Sequence, residues 1–346
     1  MRLFGRKNGE DDSAERIAEF WRWWEGARPG LDAKVAAGGR DSLASLAETL
    51  APAVSALHSG LVCEVAPGRN AAHALVVTAA GDAELRSLAH RWALAAPPAD
   101  LVWEFHPSRQ ANPQAADLTL RAGDYEFGVG KLVLGLRVPR GAPRVDVSAY
   151  HPIFSELDDD TRLDAALLAL DSVLGEDDVA RWVGEITAVT FQPIDAVPAV
   201  HLPAVVADLA SEFDGEQWVA LEGKTARGRP LIAAARFPLR PVDHPLYDQH
   251  LAVTLPYAGR DGDKLPTGAS VEALRDFEER LTRVAGDWVL AAHLSAEGHR
   301  IFHLYADPAG EVRRQVEELA ATWGEGKARV DVAGDPAWSA VAAFIS

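Results

Sequence analysis

Histidines are the side chains of this sequence best suited to acid–base or metal chemistry, and several of them cluster in its second half. His293, His299 and His303 fall in two strand-like runs that a short turn joins. His299 and His303 are four residues apart and share one side of a strand, whereas a predicted pairing of His293 with Arg300 places His293 on the opposite face. We therefore predict no three-ligand metal site from these histidines.

A second group of possible ligands, Asp243, His244, Asp248 and His250, lies in a proline-flanked loop. Oxygen and imidazole nitrogen donors of this kind suit divalent metals. Without a third fixed element, a solvated surface loop is the expected structure. One alternative is a small-molecule hydrolase or binder that uses carboxylates with His244, His250 or His303. It requires these groups to converge in a concave pocket.

The motif Gly223-Lys224-Thr225 resembles the end of a phosphate-binding loop. A phosphate-binding loop needs another glycine five residues before the glycine that precedes its lysine. In this sequence Trp218 occupies that position. The residues that follow, Arg227 to Pro230, continue a turn and do not begin a helix. No nucleophile elbow, zinc-binding helix or dinucleotide-binding turn occurs either. We predict no catalytic residue, no metal and no cofactor.

Two stretches free of Asp and Glu carry a local excess of positive charge, one between Phe127 and Val145 and one between Gly223 and Val242. Either stretch could bind an acidic partner or RNA phosphate through a strand face. Alternatively, the cations blunt sheet edges and solvate turns. The predicted binding residues in the second stretch are Lys224, Arg227, Arg229, Arg236 and Arg240.

The overall charge restricts the class of partner. The 346 residues include 34 Lys and Arg against 51 Asp and Glu, a formal net charge of −17 at pH 7. That charge repels phosphate backbones and anionic membranes, so a protein partner or a neutral small molecule fits better than nucleic acid. The single Cys63 excludes an intramolecular disulfide, and no membrane span or secretory signal is predicted. We expect a soluble cytoplasmic protein, whose oligomeric state the sequence does not restrict.

Periodicity predicts an α+β fold with two α/β sandwich-like domains. We expect a disordered tail over residues 1–12, an N-terminal α+β domain over 13–214 and a C-terminal α+β domain over 215–346. The C-terminal domain is predicted to be ferredoxin-like, in the order βββ-α-ββ-α-β. The first helix carries Phe20, Trp21 and Trp24 on one stripe, which either packs in the core or docks a partner.

Several segments of the second half resemble the domain-of-unknown-function family 695, among them Phe277-Glu278-Glu279-Arg280-Leu281, Phe302-His303-Leu304-Tyr305 and Asp335-Pro336-Ala337-Trp338. The first half is similar to a companion region found beside that domain. The resemblance implies no activity and no catalytic residues. The layout is also similar to that of the regulator of ribonuclease E activity B family, whose members are acidic ferredoxin-like inhibitors. Our leading hypothesis is a non-catalytic cytoplasmic binding or regulatory protein.

Overall fold

The structure is a computed structural model that describes residues 8–38, 40–213, 215 and 217–344. The chain divides into two compact units, Met1–Leu209 and Ala210–Ser346. Both units combine helices with β-sheets, which confirms the predicted α+β class. Asp214, at the predicted domain boundary, lies outside the described residues. None of the helices in the described part of the chain is long and apolar enough to cross a membrane.

The first unit opens with two long helices, α1 (Asn8–Ala37) and α2 (Arg40–Leu57). Residues 1–7 of the predicted disordered tail lie outside the described residues. Asn8 and the four residues after it were assigned to the same tail, but they form the first turns of α1. Asp12, in the first turns of α1, carries a negative charge that suits the positive end of the helix dipole.

A small three-stranded sheet packs against these helices. Its order is β1-β2-β3, with β1 and β2 antiparallel and β2 and β3 parallel. Trp21 and Trp24 of α1 are buried, and Trp21 stacks on Trp92 at 5.0 Å between ring centroids. These contacts support the core-packing interpretation of the first helix. The elements are β1 (Val62–Pro67), β2 (His73–Thr78), α3 (Arg86–Leu94) and β3 (Trp103–His106).

The remainder of the first unit contains a hairpin, a four-stranded sheet in the order β8-β7-β6-β9, and three helices. The Asp158 carboxylate caps α4 by accepting a hydrogen bond from the Thr161 backbone N–H at 3.0 Å, as its acidic start predicts. The strands are β4 (Thr119–Ala122), β5 (Tyr125–Gly128), β6 (Val133–Arg137), β7 (Val145–Tyr150), β8 (Val183–Val189) and β9 (Val197–Pro198), and the helices are α4 (Asp159–Leu174), α5 (Glu176–Trp182) and α6 (Leu202–Glu212).

The second unit is one antiparallel six-stranded sheet in the order β10-β11-β13-β14-β12-β15, with α7 and α8 packed on one face. From β12 onward the element order is β-α-β-β-α-β, which is that of ferredoxin-like folds. The first two strands extend the sheet beyond β13. The elements are β10 (Gln217–Lys224), β11 (Pro230–Phe237), β12 (Gln249–Pro256), α7 (Ala269–Leu281), β13 (Trp288–Ala296), β14 (His299–Ala306), α8 (Val312–Ala321) and β15 (Arg329–Gly334).

One ion network ties the small sheet of the first unit to α4 and α5. The Arg109 guanidinium donates to the Glu64 carboxylate of β1 at 2.6 Å and to the Asp171 carboxylate of α4 at 3.0 Å. The Glu176 carboxylate accepts the Arg109 backbone N–H at 3.1 Å and the Thr78 hydroxyl of β2. Burial and the neighbouring Glu176 charge raise the pKa of Asp171 to about 7, although Arg109 opposes the rise.

We expect Arg109→Gln to lower the free energy of unfolding by about 3–5 kcal/mol, because it leaves the buried Asp171 carboxylate without its cation. Urea unfolding followed by circular dichroism measures this loss. Arg313→Gln is the matched control, since Arg313 pairs with Glu317 on an exposed helix face at 3.0 Å and should cost less than about 1 kcal/mol. Equal losses in the two variants would contradict the assignment of Arg109 as the buried link.

Candidate functional site

Three of the five predicted binding cations lie around the turn between β10 and β11. Lys224 and Arg227 are exposed there, and Arg229 Nε lies 3.5 Å from the Glu297 carboxylate. Thr225 shapes this turn, since its carbonyl accepts the Gly228 backbone N–H at 2.8 Å. The sequence that resembled a phosphate loop therefore forms a hairpin connection, with Gly228 at a φ of 76°.

The other two predicted cations lie elsewhere. Arg236 is seven residues beyond Arg229 on β11, a separation of about 23 Å along an extended strand. Its Nε donates to the Leu290 carbonyl at 2.8 Å, and its guanidinium carbon lies 5.9 Å from the Trp218 ring centroid. Burial lowers the pKa of Arg236. Arg240 is half-buried in the loop after β11. The structure thus divides the predicted site between two places.

Strand β10 is an edge of the six-stranded sheet. It pairs with β11 without a bulge, from Gln217 opposite Phe237 to Lys224 opposite Pro230. All eight of its residues are exposed, and the exposed fraction is 45% for Trp218 and 38% for Leu221. The first five residues contain no charge and no proline. Charges occur only near its end, at Glu222 and Lys224, so the first five residues lack the features that proteins normally use to block pairing with another strand.

The sheet face that carries Trp218 also carries polar groups next to α7. The Trp218 and His293 ring centroids are 5.7 Å apart, and His293 Nε2 lies 3.7 Å from the Glu278 carboxylate of α7. Burial and then Arg300 lower the pKa of His293 to about 4, and burial raises the pKa of Glu278. His293 is therefore neutral at neutral pH, beside an aromatic ring that is partly exposed.

The turn of the β13–β14 hairpin lies one residue later in the chain than the predicted pairing of His293 with Arg300 requires. Its two central residues are Glu297 and Gly298, both with positive φ, which suits a tight turn with glycine second. His293 consequently pairs with Phe302 instead of Arg300. Because this moves the partner by two residues, His293 still lies on the face opposite to His303.

The histidines of the hydrolase hypothesis lie on the other face of the sheet, within a continuous series of rings. His250 Nε2 and His303 Nδ1 are 3.0 Å apart, so the two imidazoles share one hydrogen bond. Other rings, those of Trp338 and Tyr305, separate His244 from this pair. His299 is exposed next to the turn. The rings follow one another in the order Tyr247, His244, Trp338, Tyr305, His250 and His303.

Hydrogen bonds from the rings to the protein fix this series. The Tyr305 hydroxyl donates to Asp335 at 2.6 Å, and Trp338 Nε1 donates to the Tyr247 carbonyl at 2.9 Å. Burial and His250 lower the pKa of His303 to about 4. Within the described residues, no three His, Cys, Asp or Glu side chains are grouped so that they could hold a metal ion. The sequence could not reveal the ring series, because it depends on how β12 aligns with β14.

Comparison with known protein families finds a match for part of the chain. Residues 238–346 match the model of a family of unknown function, DUF695. This confirms the predicted resemblance for that segment, which contains β12 to β15 and the ring series. Strands β10 and β11 precede it. No curated protein and no solved structure matches the chain.

The buried His303 should make stability depend on pH. Its folded pKa of about 4 lies below the ordinary value of 6.5, so the unfolded chain binds more protons between these two values. Stability is therefore lost as the pH falls from about 6.5 to 4. We expect His303→Gln to remove roughly 2 kcal/mol of this loss. The measurement is urea unfolding at pH 7.5 and pH 4.5, with His299→Gln as the exposed control on the same strand. An unchanged pH dependence in His303→Gln would refute the assignment.

Proposed function

We propose that this protein is a non-catalytic cytoplasmic binding or regulatory protein that holds an extended segment of a partner protein along β10. The observation that carries the proposal is the exposed and regular edge strand, whose first five residues are uncharged. Added strands obtain affinity from backbone hydrogen bonds and specificity from alternate side chains. The partner segment is thus expected to present apolar residues at alternate positions.

The two faces of β10 offer different contacts to such a segment. Trp218 and Ala220 share the face of Arg236, His293 and Glu278. Because Ala220 and its partner Ala234 are small, this face has room for a bulky side chain beside the Trp218 ring. Val219 and Leu221 point to the opposite face, and both are more than one-third exposed. Trp218 on one face and Val219 with Leu221 on the other therefore provide an apolar anchor on each side of the added strand.

The rival functions receive less support from the geometry. The hydrolase hypothesis needs its histidines to converge, but His250 and His303 hydrogen-bond to each other. His244 is separated from them by two intervening rings. In the RNA hypothesis, Glu297 offsets the charge of Arg229, and Arg236 lies at the other end of its strand. The fold-level resemblance to the regulator of ribonuclease E activity B family agrees with a regulatory binding role. We also propose that the first half is related to the companion region found beside the DUF695 domain in other proteins.

The proposal predicts that charge placed on β10 weakens partner binding. We expect Leu221→Lys to reduce the affinity of a partner isolated from cytoplasmic extract at least tenfold, because a buried anchor contributes about 1–2 kcal/mol or more. Leu94→Lys is the matched control, since Leu94 is 71% exposed at the end of α3. Calorimetry measures the affinities, and amide exchange of the complex should show new protection in residues 217–224.

Two outcomes would overturn the proposal. One is a pull-down at physiological salt that retains no protein partner. The other is a partner that binds Leu221→Lys as tightly as the unmodified chain and leaves the amides of β10 unprotected. Circular dichroism of both variants establishes that neither charge has unfolded the chain.

A further inference from the structure

The sheet of β6, β7, β8 and β9 in the first unit has a connection that crosses one of its faces. Strands β8 and β9 lie at opposite edges of the sheet, in the order β8-β7-β6-β9. Residues 190–196, which join them, must therefore pass across β7 and β6, a distance of about 14 Å at the usual strand spacing. Seven residues can span more than 20 Å when extended, so the connection has length to spare. We refer to residues 190–196 as the strap.

The strap comes close to the sheet at Gly135 of β6. A Cβ atom added to Gly135 of β6 would lie 2.9 Å from Pro193 Cβ, closer than two such carbons approach. Beyond this contact the strap turns, with the Ala196 backbone N–H donating to the Pro193 carbonyl at 3.3 Å. Ile194 in this turn is fully exposed, and Phe191 is 84% exposed. The absence of a side chain at position 135 thus sets how closely the strap approaches the strands.

A groove of about 760 Å³ lies between the strap and the sheet. Its floor includes Ser148 of β7 and Thr187 of β8, whose hydroxyl oxygens are 3.0 Å apart. Its walls include Val189, Phe191 and Ile194. The volume lies within the range of small-molecule sites, and the mixture of apolar walls with a few polar groups is also typical of them.

The charge of the groove is negative. Arg137 is the one basic residue among the described residues that line it, and it donates to the Asp146 carboxylate at 2.7 Å, so these two charges offset each other. Glu185 and Asp195 also line the groove and are exposed. Among the described side chains, no Lys or Arg forms an ion pair with either of them. Two carboxylates therefore remain to attract a positive charge, next to apolar walls and the Phe191 ring.

We propose that this groove binds an elongated organic cation, of the class of aliphatic amines and diamines. The carboxylates of Glu185 and Asp195 would hold the ammonium groups, and Phe191 and Ile194 would cover the hydrocarbon chain. An ammonium near an aromatic face gains a further attraction from the ring. The inference concerns the first unit and does not depend on partner binding at β10.

Calorimetric titration with 1,6-diaminohexane tests the proposal, with 1,6-hexanediol as the neutral ligand of matched length. We expect saturable binding of the diamine and at least threefold weaker binding of the diol. Glu185→Gln combined with Asp195→Asn should weaken diamine binding roughly three- to tenfold, as expected for two solvent-exposed charge contacts. Asp164→Asn, on an exposed position of α4 outside the groove, removes a carboxylate elsewhere and should leave binding unchanged.

Gly135→Val provides a second test, because the added side chain collides with Pro193 and must displace the strap. We expect it to weaken diamine binding more than the double carboxylate variant does, while circular dichroism shows a folded chain. Three results would overturn the proposal: no saturable diamine binding at millimolar concentration, equal binding of the diol, or an equal loss in Asp164→Asn. If Gly135→Val does not fold, the charge variants and the diol comparison decide the question.

Discussion

Arg109 is the residue on which the arrangement of the first unit depends most. Its guanidinium and backbone N–H contact three carboxylates, and these come from β1, α4 and α5. Carboxylates so close together repel one another, and burial makes their charges more costly. Burial and the Glu176 charge still raise the pKa of Asp171 with Arg109 in place, so part of that cost remains. The Arg109 guanidinium therefore stabilises the packing of β1 against α4, and its backbone N–H holds the carboxylate of α5.

Helix α4 links this network to the sheet that the strap crosses. Helix α4 carries Asp171 on one side, and it packs against β8 and the β4–β5 hairpin. The strand face opposite to the buried residues Leu134, Val147 and Ala149 is the face that the strap crosses. Because one face of the sheet packs in the core, the other face carries polar side chains such as Ser148 and Thr187. The groove is a consequence of a sheet that is buried on one side only.

Local features were predictable from the sequence because local physics determines them. The Asp158 cap, the buried stripe of α1 and the α+β class follow from spacing and composition. The hairpin face of His293 was also predicted, although its partner was wrong, since the alternation of a strand survives a shift of two residues. The helical start at Asn8 was missed, because a run of charged residues has no apolar periodicity to indicate a helix.

Features that depend on the order of strands in a sheet were not predictable in the same way. The proximity of His250 and His303 requires β12 to lie beside β14, 53 residues further along the chain. The exposure of β10 requires it to be the outermost strand, and the strap requires β8 and β9 to lie at opposite edges. A single sequence specifies which residues face each side of a strand, but it does not show which strands become neighbours.

The position of the strands in each sheet also explains why the two proposed binding surfaces use different chemistry. An edge strand offers its backbone donors and acceptors, so apolar residues such as Val219 and Leu221 are sufficient to anchor a partner there. The groove under the strap has a floor of strands that already pair with one another, so its backbone has little to offer. Recognition in the groove must come from side chains, and Glu185 and Asp195 supply it. Each surface also belongs to a different compact unit, so a substitution in one should leave the other unchanged.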